Sequence, residues 1–125
     1  MKRFTEEHEW VEWDLKARTA TVGITTHAAK ELGDITFVEL PELETRFAQG
    51  DPFAVVESVK AAADIFAPCG GVVAEVNRDL DEKPEIINAS PEHDGWICKL
   101  KEITLSDLEG LMTEDEYEEF LHQKS

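Results

Sequence analysis

Basic side chains are scarce in this sequence. Lysine and arginine together number 12 against 28 aspartates and glutamates, which leaves a formal net charge of −16 at pH 7. Surfaces that bind DNA, RNA or anionic lipid meet phosphates with lysine and arginine, so the balance argues against nucleic-acid and membrane partners. It suits docking on positively charged protein surfaces and long-range steering toward them, although solubility alone accounts for it too. Cysteine is equally sparse. Cys69 and Cys98 form neither a CxxC motif nor a metal-ligand cluster, and free, partly buried thiols in a reducing compartment are expected. The four histidines (His8, His27, His93, His122) show no HxxxH spacing, so nothing supports a metal site. No apolar run is long enough to cross a bilayer. The opening MKRFTEEHEWVEW has no apolar core and carries four acids, unlike a secretory signal or a basic transit peptide. One cytoplasmic domain spanning residues 1–125 is the expectation.

What is present is a series of short β-patterned runs. TATVGI (19–24), ITFVEL (35–40), FAVVES (53–58), ADIFA (63–67), GVVAEV (71–76) and WICKLK (96–101) are rich in β-branched and aromatic residues. Glycine and proline punctuate them, which predicts a sandwich or flattened barrel. In WICKLK, alternation puts Trp96, Cys98 and Leu100 on one face and Lys99 and Lys101 on the other. Helical signals are fewer. THAAKELG (26–33) predicts a short helix with Thr26 as its start cap and Gly33 as its end. SDLE (106–109) and TEDE (113–116) both read as capping boxes. After the second, Tyr117, Phe120 and Leu121 form one apolar stripe, which predicts a helix packed across the sheet to complete the core. The long segment 77–96 is expected to be pinned to the core by Ile86 and Ile87.

One lysine interrupts two runs that favour burial. FAVVES and ADIFA flank Lys60 closely enough for a β-hairpin with Lys60 at or near its tip. The neighbouring alanines 61–63 leave it sterically open. Three uses fit such a lysine. It is simply solvated, it forms a Schiff base, or it is covalently modified. A Schiff-base lysine needs a dry pocket that a hairpin tip does not offer. An exposed lysine on a rigid hairpin is a good mount for a swinging arm. Biotin carriers usually set that lysine between methionines, and lipoyl domains of 2-oxoacid dehydrogenases usually have aspartate before it. Here Val59 precedes and Ala61 follows.

The string ESVKAAADIFAP resembles the lipoyl-lysine motif of the H proteins of the glycine cleavage system. The likeness continues in family order through HEWV (8–11), ATVGIT (20–25), LGDITFVELPE (32–42), VVESVKA (55–61), the loop ending in DGW (94–96) and EDEYEEFL (114–121). The resemblance implies a mainly β lipoyl/biotinyl-type barrel-sandwich hybrid with a short internal helix and a C-terminal helix. It implies lipoic acid in amide linkage to Lys60, with Glu57 and Gly71 at the positions associated with recognition by lipoate-attaching enzymes. On the residues alone, Gly71 also reads as a turn glycine needing positive φ.

By the same resemblance the chain is a carrier without catalysis of its own. It takes an aminomethyl group from the PLP-dependent glycine decarboxylase (P protein) to the tetrahydrofolate-dependent aminomethyltransferase (T protein). It takes electrons to dihydrolipoamide dehydrogenase (L protein). Serial docking suits a monomer. Glu9 and Asp64 match acidic positions of a cleft in which family members park the loaded arm. Glu31 and Glu7 stand where some members have histidine and serine, which puts parking contacts through those two positions in doubt. The alternatives are an H-like lipoyl carrier serving lipoate relay, a binding module whose lysine is never modified, and autonomous catalysis, which lacks an acid–base pair or metal site to support it.

Overall fold

The computed structural model describes residues 1–123. In chain order the elements are β1 (Lys2–Phe4), β2 (Glu9–Asp14), β3 (Thr19–Ile24), α1 (Thr26–Leu32), β4 (Ile35–Glu39), β5 (Arg46–Phe47), β6 (Pro52–Ser58), β7 (Ala62–Phe66), β8 (Gly71–Val76), α2 (Asp79–Glu82), α3 (Ile86–Ala89), β9 (Cys98–Lys101), α4 (Leu105–Glu109) and α5 (Glu114–Gln123). The strands form two antiparallel sheets, one ordered β1-β2-β3-β9-β8-β5 and one ordered β4-β6-β7. The expected mainly β sandwich is present; a closed barrel is not, since neither strand order closes on itself and no strand pairing joins the two sheets.

Alternation along the strands supplies the core. Val11, Val22, Val73 and Leu100 of the larger sheet join Val38, Val56 and Ile65 of the smaller one in a single buried cluster. Each such side chain contributes about 1.5–3 kcal/mol when fully buried. All six expected strands form, five of them within one residue of their expected ends, while WICKLK starts two residues late at Cys98. In that run Ile97 is fully buried and Trp96 precedes the strand. Trp96 lies beside Lys99, whose Nζ is 5.1 Å from its ring, so it does not share a face with Cys98 and Leu100.

Strands β1 and β2 were not anticipated, and in the first half of β2 the reason is burial on both sides. Glu9, Trp10 and Val11 are consecutive and all buried, which hides the two-residue period. Val11 and Trp13 join the main core, whereas Trp10 belongs to a second cluster with Phe4 and Tyr117. Trp10 lies over Gly23, its antiparallel partner; a Cβ there would come within 2.8 Å of the indole.

The helices correct three sequence expectations. Thr25, not Thr26, caps α1: its side chain accepts from Ala28 N, while Thr26 N donates to Glu92. SDLE is not a capping box, because α4 starts at Leu105, its N-cap Thr104 makes no side-chain bond, and Ser106 lies inside the helix. TEDE is one, with Thr113 N donating to Glu116 Oε1 at 2.8 Å and Glu116 N to Thr113 Oγ1 at 3.2 Å. The α5 stripe covers the Phe4–Trp10 cluster on the far side of the larger sheet from Val11, so it builds a second core and does not complete the first. In segment 77–96, Ile87 is fully buried and Ile86 packs against the core as expected, with Leu80 as a further anchor.

Candidate functional site

Lys60 occupies the turn between β6 and β7 and is exposed. The turn is set by Ser58. Its backbone N–H donates to Ala61 O at 2.7 Å, and its hydroxyl accepts from Lys60 N and Ala61 N. A serine hydroxyl that satisfies two tip amides fixes a tight turn without a glycine. The tip is also tied sideways, through Val59 N to Asp34 O at 3.0 Å. Asn88 in turn holds that α1–β4 connection. Its side chain donates to Gly33 O at 2.8 Å and accepts from Ile35 N at 2.9 Å. Gly33, at φ +79°, provides the floor under the lysine stem; a Cβ there would sit 3.6 Å from Lys60 Cε. Sequence reasoning missed Asn88 because its partners are backbone atoms more than 50 residues away.

Lys60 Nζ enters none of the ion pairs among the described residues. No dry pocket encloses it, which removes the Schiff-base use. The amine is open to an incoming enzyme, and the residues present therefore fit an acyl group carried on Nζ. Glu57 is exposed on the outer face of the three-stranded sheet, between Phe37 on one neighbouring strand and Ala62 on the other.

Gly71 is placed elsewhere. It opens β8, is buried, and has no positive φ, so the turn-glycine expectation fails. Its constraint is close approach. A Cβ would meet Lys101 O at 3.0 Å and Leu100 Cβ at 3.2 Å. Glu9 and Asp64 also part company. Asp64 is exposed and lines an open cleft of about 380 Å³ with Glu39, Glu42 and Phe53. Glu9 is 2% exposed. Its carboxylate accepts from Thr5 Oγ1 and, at 3.3 Å, from Phe66 N on the edge of β7. Burial dominates these bonds and pushes its pKa up to about 7. Glu31, one of the divergent positions, is paired with His27 at 2.8 Å.

The cysteines are fully buried, more so than expected, and both are free thiols. Burial, with Asp107 nearby, pushes the Cys69 thiol up to about 12; burial pushes Cys98 up as well. Both are protonated at neutral pH and poor nucleophiles. Among the described residues no cluster of three or more His, Cys, Asp or Glu side chains is arranged to hold a metal ion.

The chain as a whole matches known proteins in both sequence and fold. The profile of the family described as "Glycine cleavage H-protein" matches residues 2–124. This chain belongs to that family. The glycine cleavage system H protein of Thermotoga maritima is 46% identical over 124 residues, 99% of this chain and 98% of the relative. The H protein of Vibrio vulnificus is 51% identical, over 92% of this chain and 90% of its own. The crystal structure of an H protein from Mycobacterium marinum superposes with a TM-score of 0.86 at 30% identity, covering 97% of this chain and 96% of that one. Family membership accounts for the order of motifs from HEWV to EDEYEEFL.

Proposed function

We propose that this H-protein family member is the lipoyl carrier of a glycine cleavage system, with lipoic acid in amide linkage to Lys60. The observation that carries it is the lysine itself: exposed, unpaired among the described residues, and braced at the tip of a hairpin. Once bound, the dithiolane supplies the thiol–disulfide chemistry and the point of attachment for the transferred aminomethyl group. The chain's own residues hold and present it. Acylation removes the Lys60 charge, and the Ser58 and Asp34 bonds keep the turn in place whether or not the amine is modified. The chain supplies no acid–base pair or metal at the tip and acts as a non-catalytic component.

The partners are a glycine decarboxylase, an aminomethyltransferase, a dihydrolipoamide dehydrogenase and lipoate-attaching enzymes. The chain meets them as a single-domain monomer in the cytoplasm. No helix of the described residues is long and apolar enough to cross a membrane. Glu57 acts in recognition by the attaching enzyme, since it is exposed beside the hairpin tip. Gly71 acts at a distance, by letting β8 approach β9 closely. Asp64 offers an exposed carboxylate to a cationic loaded arm. Glu9 takes part only by giving up its bond to Phe66 N.

The deciding experiment is intact mass after incubation with lipoate, ATP and a lipoate–protein ligase, with peptide mapping across residues 53–78. The lipoyl increment is expected on Lys60. An unmodified Lys60 under conditions that lipoylate a known acceptor overturns the proposal.

A further inference from the structure

A β-bulge beside Lys60 brings a phenylalanine to the surface. Strands β4 and β6 run antiparallel with Ile35 opposite Ser58 and Phe37 opposite Glu57, so Thr36 is an extra residue on β4. With strict alternation from a buried Ile35, Phe37 would point inward and Val38 outward. The bulge inverts this. Val38 is buried at 2% exposure, and Phe37 is 52% exposed. Thr36 Oγ1 donates to Glu57 O at 3.3 Å across the irregular step. Bulges next to functional sites re-aim side chains, and exposing a phenylalanine carries a hydrophobic cost that the fold had no need to incur.

Phe37 has company of a defined kind. Val59, next to Lys60, is 70% exposed. The outer face of the sheet carries two cross-strand rows, Phe37–Glu57–Ala62 and Glu39–Val55–Asp64. Strands β4, β6 and β7 contain no Lys, Arg or His. The surface is thus an apolar contact in an acidic frame with a single cation, Lys60, at its tip. It complements an apolar pocket rimmed by arginine or lysine.

We infer that Phe37, with Val59, is the docking contact by which a lipoate-attaching enzyme grips the Lys60 hairpin, within the frame of Glu39, Glu57 and Asp64. This rests on the proposed function and names how one partner recognises the site. That enzyme is the fitting occupant because it alone must bring its active site to Nζ. There the amine attacks the carbonyl carbon of lipoyl adenylate. The C–N bond forms, the acyl–phosphate bond breaks, AMP leaves, and the amine's proton passes to solvent. Partners that act on the finished arm reach its far end and do not need the row beside the turn.

The test is steady-state lipoylation of the full chain by a lipoate–protein ligase with lipoate and ATP, using wild type, Phe37→Thr, Phe37→Leu and Glu39→Lys. Phe37→Thr is expected to raise KM for the carrier about tenfold. Its kcat and melting temperature stay at wild-type values, because threonine suits an exposed strand position. Phe37→Leu restores most of the loss. Glu39→Lys raises KM and weakens its dependence on salt. Pre-lipoylated Phe37→Thr is reduced by dihydrolipoamide dehydrogenase as well as wild type. An unchanged KM for Phe37→Thr overturns the inference while leaving the proposed function intact. So does a defect seen only with the dehydrogenase, which would assign the surface to that partner. A wild-type chain that is not lipoylated overturns both.

Discussion

The Lys60 hairpin and the corner where β1, β2 and α5 meet are built from similar short pieces but are held in opposite ways. At the hairpin the bonds tie down the backbone of the turn: Ser58 bonds Lys60 and Ala61 within it, and Val59 N reaches Asp34 O on the neighbouring connection. The side chains beyond them (Phe37, Glu57, Val59, Lys60) are left to solvent. At the corner the bonds span the chain. Phe4 exchanges two backbone bonds with Met112, and its ring stacks on Tyr117 at 4.8 Å. Tyr117 Oη bonds His8 Nδ1 and Thr25 Oγ1, each at 2.8 Å, and Lys2 pairs with Glu92 at 2.9 Å. Hydrogen bonds from Thr26 and Lys2 outweigh the burial of Glu92 and hold its carboxyl below the usual carboxylate range. A carrier gains from this division. The exposed hairpin is braced from below, and the long-range bonds are concentrated at the corner away from it.

The two regions therefore answer differently to mutation. Lys60→Arg has the largest functional effect. It keeps the charge but cannot form the amide, so lipoylation falls to zero while the melting temperature stays unchanged. A residual lipoyl mass on the Lys60→Arg chain places the attachment elsewhere.

Glu9 lies between the regions, joining β2 to the edge of β7, and makes stability depend on pH. The folded chain keeps its Glu9 proton up to about pH 7, whereas a solvated glutamate loses it near 4.5. Between those values the native state binds more protons, so this group's contribution falls as pH rises from about 4.5 to 7 and is level above. The total change is at most about 3 kcal/mol. Denaturant titrations at pH 5, 6, 7 and 8 are expected to show that slope in wild type and its loss in Glu9→Gln. Parallel curves would mean that Glu9 is ionised throughout.

Gly71→Asn tests whether that glycine belongs to the docking region or to the frame. Its added side chain collides with the β9 backbone, and overpacking of this kind costs about 2 kcal/mol. The unfolding midpoint should drop, and lipoylation should recover at temperatures where the variant is folded. Poor lipoylation of a fully folded variant would move Gly71 to direct recognition. Tyr117→Phe removes two hydrogen bonds at the corner and is expected to cost about 1–2 kcal/mol with lipoylation unaffected. Glu57→Gln has a small stability effect, within about 0.5 kcal/mol for an exposed residue, but raises the KM for lipoylation. A destabilised Glu57→Gln chain would erase the contrast between the regions.

Much of this was legible in the residues. Period-two runs such as TATVGI and GVVAEV are strands because one face of each is core, and TEDE caps α5 through bonds within four residues. The lysine between two apolar runs announced the hairpin tip. What the residues did not show had a common cause. The start of EWVEWD has no visible period because α5, more than 100 residues on, buries Trp10 on its second face. Glu9 and Asp64 look alike as acids in motifs, yet one is buried against the edge of β7 and the other is in solvent. The outward turn of Phe37 follows from the bulge at Thr36, which no local pattern announces.

By itself the sequence determined the elements whose signals are local, and the one amine at the tip that suits an arm. Only the tertiary structure decided which strands are covered twice, why Gly71 must be glycine, and which side chains surround the lysine. Those outcomes depend on residues far apart in the chain, and no short-range period or spacing records them.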